Sequence, residues 1–337
     1  MNTNLKPKLQ RFASASAFAC PICQENLTLI ETSLKCSNRH SFDLAKFGYV
    51  NLAPQIKQSA NYDKENFQNR QQILEAGFYQ AILEGISDLL ATKSSAKTVL
   101  DIGCGEGFYS RKLQEVYPDK TLYAFDISKD SVQIAAKSET NWAVNWFVGD
   151  LARLPIKDAS MDILLDIFSP ANYGEFRRVL SQNGILIKVV PTENHLKEIR
   201  QMVQEQLTKK DYSNQDIKEH FQEHFSIQSN QIASLTKSIT AEQRQALLSM
   251  TPLLFHVDQS KIDWNQLTEI TIEAEILVGK ALWTSPNTKK RIYLRCVLFY
   301  NLMQRILVQV PDVFIVLSDC TVRWEESCFS NVDDDFI

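Results

Sequence analysis

Between roughly residue 78 and residue 280, short, mostly apolar runs alternate with longer amphipathic stretches. The runs at 99–102, 122–125, 145–148, 161–168 and 185–190 are strand-like in length and apolar content. Ser169-Pro170 and Asn183-Gly184 punctuate the pattern, and a helix is expected over 173–180. Phe78, Ile82, Ile86, Leu89 and Leu90 recur at helical spacing and predict a covering helix ahead of the first strand. Farther along, Thr240-x-x-Gln243 has the form of a capping box opening another helix. Ile270, Ile272, Ala274, Ile276 and Val278 then alternate as a strand expected to close the sheet. Strands alternating with helices predict an α/β fold, a doubly wound sheet with ligands at the carboxyl ends of its strands.

The first of these strands runs into Asp101-Ile-Gly-Cys-Gly-Glu-Gly107, and a helix is expected to begin near Gly107. Gly103, Gly105 and Gly107 let the backbone turn tightly and approach a ligand closely. Their G-x-G-x-G spacing is neither the G-x-G-x-x-G of dinucleotide sites nor a P-loop. The acids around it give the loop its meaning. Asp101 ends the first strand, and Asp126 ends the second, where a carboxylate can take both ribose hydroxyls. Asp150 follows the third strand, at a rim that would face an adenine amino group.

Ahead of this region stands Cys20-x2-Cys23-x12-Cys36-x3-His40, a zinc-ligand spacing. Three thiolates and an imidazole close a tetrahedron, so the expected Zn²⁺ is structural, one per chain, and supplies much of the folding free energy of so small a lobe. Free buried cysteines beside a surface histidine are the alternative. Seven cysteines, three of them in this cluster and Cys104 in the glycine loop, do not suggest a disulfide framework and fit a reducing, cytoplasmic setting. The short apolar stretch 12–19, interrupted by Ser14 and Ser16, does not read as a signal peptide. The apolar run 296–320 is broken by Gln304, Arg305, Gln309, Pro311 and Asp312, so no membrane span is expected.

Overall the 337 residues carry a formal charge of −4, which by itself argues against a polyanion-binding protein. Segmentation changes the picture. Residues 1–57 hold seven Lys/Arg (Lys6, Lys8, Arg11, Lys35, Arg39, Lys46, Lys57) against three acids, so the basic excess sits on the lobe with the zinc ligands. A positive zinc ribbon suits nucleic-acid phosphate, and a merely solvated charged face is the alternative.

The glycine loop with Asp126 and Asp150 resembles the class I (Rossmann-like) S-adenosylmethionine-dependent methyltransferases. Together with the zinc ligands, H-S-F-D-L-A-K-F-G-Y-V-N-L (40–52), A-G-F-Y-Q (76–80), P-T-E-N-H-L (191–196) and M-T-P (250–252), it resembles the RlmA family of 23S ribosomal RNA guanine-N1 methyltransferases, in its Gram-positive branch linked to macrolide, tylosin and ketolide response. The resemblance spans roughly residues 18–282. It implies a zinc-binding RNA-recognition lobe over 1–60, a methyltransferase domain over 61–282 and an extension of unknown role over 283–337. It implies S-adenosylmethionine as cofactor and a guanine in the 745–748 hairpin of 23S rRNA as acceptor, with 748 the expected position, and a possible homodimer. Tyr79, Tyr109, Ser110 and His195 become expected cofactor contacts; read from the residues alone, Tyr79 and Tyr109 fit a packed core equally well, and His195 a helix cap. Asp166, at the end of the fourth strand, is a candidate acceptor of the guanine N1 proton, with Phe168 and Tyr173 as candidate stacking partners of the base. A non-catalytic zinc-bearing RNA-binding module and a small-molecule methyltransferase are the competing readings.

Overall fold

A computed structural model describes residues 7–56, 64–207 and 212–282. The extension expected over 283–337 lies outside the described residues. In chain order the strands are β1 (Thr28–Ile30), β2 (Ser33–Lys35), β3 (Ser41–Asp43), β4 (Tyr49–Asn51), β5 (Thr98–Ile102), β6 (Thr121–Asp126), β7 (Asn145–Val148), β8 (Met161–Ile167), β9 (Leu180–Pro191), β10 (Phe225–Ser238) and β11 (Glu269–Ala281). The helices are α1 (Pro7–Ser14), α2 (Lys64–Glu75), α3 (Gln80–Ala91), α4 (Phe108–Val116), α5 (Lys129–Ser138), α6 (Tyr173–Val179), α7 (Lys197–Val203), α8 (Gln215–His224) and α9 (Ala241–Met250).

One eight-stranded sheet carries the fold, in the order β10-β11-β9-β8-β5-β6-β7-β4. Strands β4 to β9 within it run parallel, and β11 enters antiparallel beside β9. The strand expected to close the sheet is therefore internal. The edge belongs to β10, whose mostly exposed, polar sequence hides it from a search for apolar alternation. Beyond Pro191, which pairs with Ala274, residues 269–273 of β11 pair with β10 alone, so these two strands extend past the rim of the sheet on the side where the parallel strands end.

Two cores flank the sheet. On one face Val99, Ile163, Leu165, Ile187 and Val189 meet α3, where Ile82, Leu83, Ile86 and Leu90 form the buried stripe. On the other face Leu100, Ile102, Leu164 and Leu186 meet α6, α8 and the N-terminal segment. α9 opens with the expected capping box: the Thr240 hydroxyl accepts from Gln243 N–H, and the Gln243 side chain accepts from Thr240 N–H.

The N-terminal segment is knitted into this frame. Phe18 is fully buried against Tyr123 and Phe147 of the sheet, at ring-centroid distances of 5.2 and 5.3 Å. Ala19 N–H donates to Pro155 O, and Lys157 N–H donates to Ala17 O. Within residues 1–60, β4 is hydrogen-bonded to β7. Arg11 is not part of a basic surface. It is buried, ion-paired to Glu139 at 2.9 Å and bonded to Gly48 O. The exposed or half-exposed basic residues described on the lobe are Lys35, Arg39 and Lys46.

Candidate active site and metal centre

Around residues 20–43 the sequence builds a three-stranded antiparallel ribbon, β1-β2-β3, with two knuckles at one end. In the first, Gln24 N–H donates to Cys20 O and Gln24 takes a left-handed φ of 62°. In the second, Arg39 N–H donates to Cys36 O, with Arg39 at φ 66°. These turns bring the ligand atoms of Cys20, Cys23, Cys36 and His40 within 4.8 Å of one another. His40 Nδ1 is 3.4 Å from both Cys20 Sγ and Cys36 Sγ, and Cys23 Sγ is 3.7 Å from Cys36 Sγ. Burial works against ionising Cys23, but the Glu25 N–H and the Asn38 and His40 side chains outweigh it and hold the thiol down to about 6. Three sulfurs and one imidazole nitrogen at one point fit a four-coordinate Zn²⁺ and leave no open position.

The glycine loop lies at the carboxyl end of β5. Gly103, Gly105 and Gly107 all have positive φ (64°, 54° and 77°), which non-glycine residues rarely adopt. Asp126 straps the loop to β6, one oxygen accepting from Gly105 N–H at 2.9 Å and the other from Ser128 N–H at 2.8 Å. Beneath it, Ser110 Oγ donates to the buried Asp101 at 2.6 Å. Burial, with Glu106 and Asp126 nearby, pushes Asp101 up to about 7, and the carboxyls of Glu106 and Asp126 are raised as well, chiefly by burial. Three crowded carboxyls face one guanidinium, Arg70 of α2, whose Nε is 3.5 Å from Glu106 Oε2. Such a cluster suits a cationic ligand. The Tyr109 hydroxyl is buried without a hydrogen-bond partner and Glu106 Oε2 has only the Arg70 ion pair, so both retain hydrogen-bonding capacity for a ligand. The residues therefore fit S-adenosylmethionine.

Toward β8 and β9, Tyr79, Phe168 and His195 form one aromatic cluster, with ring centroids 5.4–6.3 Å apart. His195 Nδ1 lies 3.0 Å from Glu273 O, and since a carbonyl can only accept, Nδ1 carries the proton and Nε2 keeps its lone pair. Burial lowers the His195 pKa to about 4. The unfolded chain then binds more protons than the native one below about pH 6.5, so His195 subtracts stability as pH falls from there toward 4. A His195→Gln variant is expected to lose less stability than the parent between pH 6.5 and 4 in urea titrations, with parallel behaviour above pH 7. Identical acid limbs would refute this. Asp150 sits at the end of β7, one oxygen accepting from Ala152 N–H at 2.8 Å.

Two candidates stand apart from this cluster. Asp166 and Tyr173 face the other side of the sheet. Asp166 is fully buried, 2.7 Å from Lys188 Nζ, and burial still lifts its pKa to about 6. It is held in an ion pair with Lys188, whose Nζ also donates to Ser169 O. Tyr173 is buried among Phe176, Phe221 and Phe225. Phe168 does stand on the cofactor side, half-buried at φ 52°. Arg70 escaped the sequence reading because α2 has only a weak apolar stripe; an arginine six residues ahead of A-G-F-Y gives no local signal.

A family profile described as "RlmA, N-terminal" matches residues 18–60, and one described as "Methyltransferase domain" matches residues 93–273. A Bacillus subtilis (strain 168) protein, provisionally named 23S rRNA (guanine-N(1)-)-methyltransferase YxjB, is 34% identical over 284 residues, covering 80% of this chain and 99% of the relative. The chain belongs to the RlmA family. A Streptomyces fradiae relative, named 23S rRNA (guanine(748)-N(1))-methyltransferase, is 28% identical over 247 residues, covering 72% of this chain and 87% of its own. Among solved structures, the PH0226 protein from Pyrococcus horikoshii OT3 covers 60% of this chain and 91% of its own, at 16% identity and TM-score 0.38. As in the family, this chain is an S-adenosylmethionine-dependent methyltransferase with a structural zinc ribbon. Among the described residues no helix is long and apolar enough to cross a membrane.

Proposed function

We propose that this enzyme transfers a methyl group from S-adenosylmethionine to N1 of a guanine in 23S rRNA, at the position equivalent to 748. The observation that carries this reading is the coexistence, in one chain, of a Cys3His ribbon and a glycine loop strapped by Asp126, in a family whose relatives are named for that reaction. In this reading residues 1–60 grip RNA through Lys35, Arg39 and Lys46, and residues 61–282 hold the cofactor and the base. A small-molecule acceptor would leave the ribbon without a task.

The bound cofactor supplies an electrophilic methyl on sulfonium, so the protein's part is alignment and exclusion of water. Asp126 presents a carboxylate to the ribose hydroxyls, and Asp150 an acceptor to the adenine amino group. Arg70, Glu106, Tyr109 and Asp101 form the charged floor for the aminoacid end, with Ser110 holding Asp101. Tyr79 walls the site, and His195, neutral through the working pH range, offers Nε2 as an acceptor. Guanine N1 is masked in a stem, so the base must be exposed, and Phe168 is the aromatic face available to it.

Primer extension on 23S rRNA from a strain lacking the gene tests the whole reading, because N1 methylation blocks pairing and stops the polymerase. Loss of the stop in the 748 hairpin is expected, and a persisting stop refutes the assignment. Arg70→Ala is expected to weaken S-adenosylhomocysteine binding at least about tenfold while changing methylthioadenosine binding little, since a charged hydrogen bond is worth roughly 1.5–3 kcal/mol and the second ligand lacks the aminoacid end. Equal losses for both ligands in calorimetry would assign Arg70 a purely structural role. A homodimer and a cytoplasmic location belong to the same reading; light scattering of the purified protein tests the first.

A further inference from the structure

On the face of the sheet opposite the cofactor residues, α8 ends in His220-Phe-Gln-Glu223-His224. We infer that His220, Glu223 and His224 form a second metal site, external and exchangeable, for one divalent transition-metal ion of the zinc, nickel or copper type. Residues four apart share a helix face, so both imidazoles and the carboxylate between them project together. Their ligand atoms lie within 4.8 Å of one another, with His220 Nδ1 3.2 Å from Glu223 Oε2.

The rings are also held in place. Both imidazoles rest on Tyr173, at centroid distances of 5.1 and 5.0 Å, and stand 5.1 Å from each other at 88°. Tyr173 is in turn packed against Phe176, Phe221 and Phe225, so the ring on which both imidazoles rest is fixed. This gives the aromatic cluster on Tyr173, which base stacking does not use, a second consequence. His220 and Glu223 are exposed, so an ion enters from solvent and water completes its coordination.

Ligand chemistry selects the metal. Two imidazoles and one carboxylate suit borderline transition ions, whereas magnesium and calcium demand oxygen. No thiolate takes part, so binding is weaker than in the ribbon, and Arg177, whose charge reaches His224 from α6, weakens it further.

Nickel titrated calorimetrically into the full-length, zinc-loaded protein tests the site, with ribbon zinc followed by elemental analysis. The parent is expected to bind one Ni²⁺ in the micromolar range without losing its zinc. His220→Gln and His224→Gln are each expected to weaken it by roughly tenfold or more, and Glu223→Gln by less. Glutamine keeps the helix, and His220 is 60% exposed, so unfolding does not confuse the result; unchanged circular dichroism and melting in the absence of nickel verify this. Nickel should raise the melting temperature of the parent and not of the His220→Gln variant. A parent that binds no nickel, or two histidine variants that bind it as the parent does, overturns the assignment.

Discussion

A Cys36→Ser enzyme should purify with almost no zinc and without activity on 23S rRNA, while the parent carries about one zinc per chain. Cys36 closes the second knuckle and its sulfur lies within 3.4–3.7 Å of donors from both halves of the site, so its loss opens the tetrahedron. Binding free energies of structural zinc run to about 10 kcal/mol or more, and a ribbon of three short strands has little else to hold it. The effect does not stop at the ribbon. Leu34, Phe42 and Leu44 share a core with Phe18, Tyr123 and Phe147, so an unfolded ribbon exposes apolar surface at the edge of the sheet. Elemental analysis and melting curves check the result; a fully zinc-loaded variant, or a zinc-free one with parental melting and activity, would be incompatible with a structural metal.

Gly107→Ala should severely damage the methyltransferase domain. Gly107 caps α4 at φ 77°, and an added Cβ would sit 2.5 Å from the Trp146 ring and 2.7 Å from Ala135 Cβ. Trp146 has no room to yield, being fully buried with its indole N–H donating to Glu139 at 2.7 Å. Left-handed strain and overpacking together should cost about 2–4 kcal/mol, and the displaced loop should lose cofactor affinity by about one to two orders of magnitude. Gly174→Ala, at ordinary φ with only the Asn172 side chain at 3.3 Å, serves as the control and should stay within about 1 kcal/mol of the parent. Thermal melting with and without S-adenosylhomocysteine reads both effects. Parental melting and a parental ligand shift for Gly107→Ala would contradict the packing argument.

Legibility followed local chemistry. The zinc ligands, the glycine loop and its three acids could be read because each element announces itself within a few residues, through ligand spacing, positive-φ glycines or an acid at a strand end. β10 could not be read, because an edge strand with one exposed face and polar residues loses the apolar run that marks its neighbours. The side of the sheet on which a residue falls was equally hidden. Asp166 and Phe168 are two positions apart, yet the left-handed backbone at Phe168 breaks the strict alternation, and one side chain enters a buried ion pair while the other joins Tyr79 and His195. Arg70 and Glu106 meet only through tertiary packing, with α2 anchored by Arg111 to Glu75 at 2.6 Å and by Gln71 to Ser138 at 2.8 Å.

The pairing of β4 with β7 bears on how this enzyme can be dissected. Deleting the first 56 residues would not detach a module; it would strip the parallel edge from β7, bare the amide and carbonyl groups that Tyr49–Asn51 now satisfy, and remove Phe18 from its aromatic seat. A newly opened strand edge beside uncovered aromatic rings is a template for self-association. A catalytic fragment made that way should precipitate, whereas replacing residues 20–43 with a foreign ribbon keeps Phe18 and β4 in place and separates the recognition of RNA from the edge of the sheet.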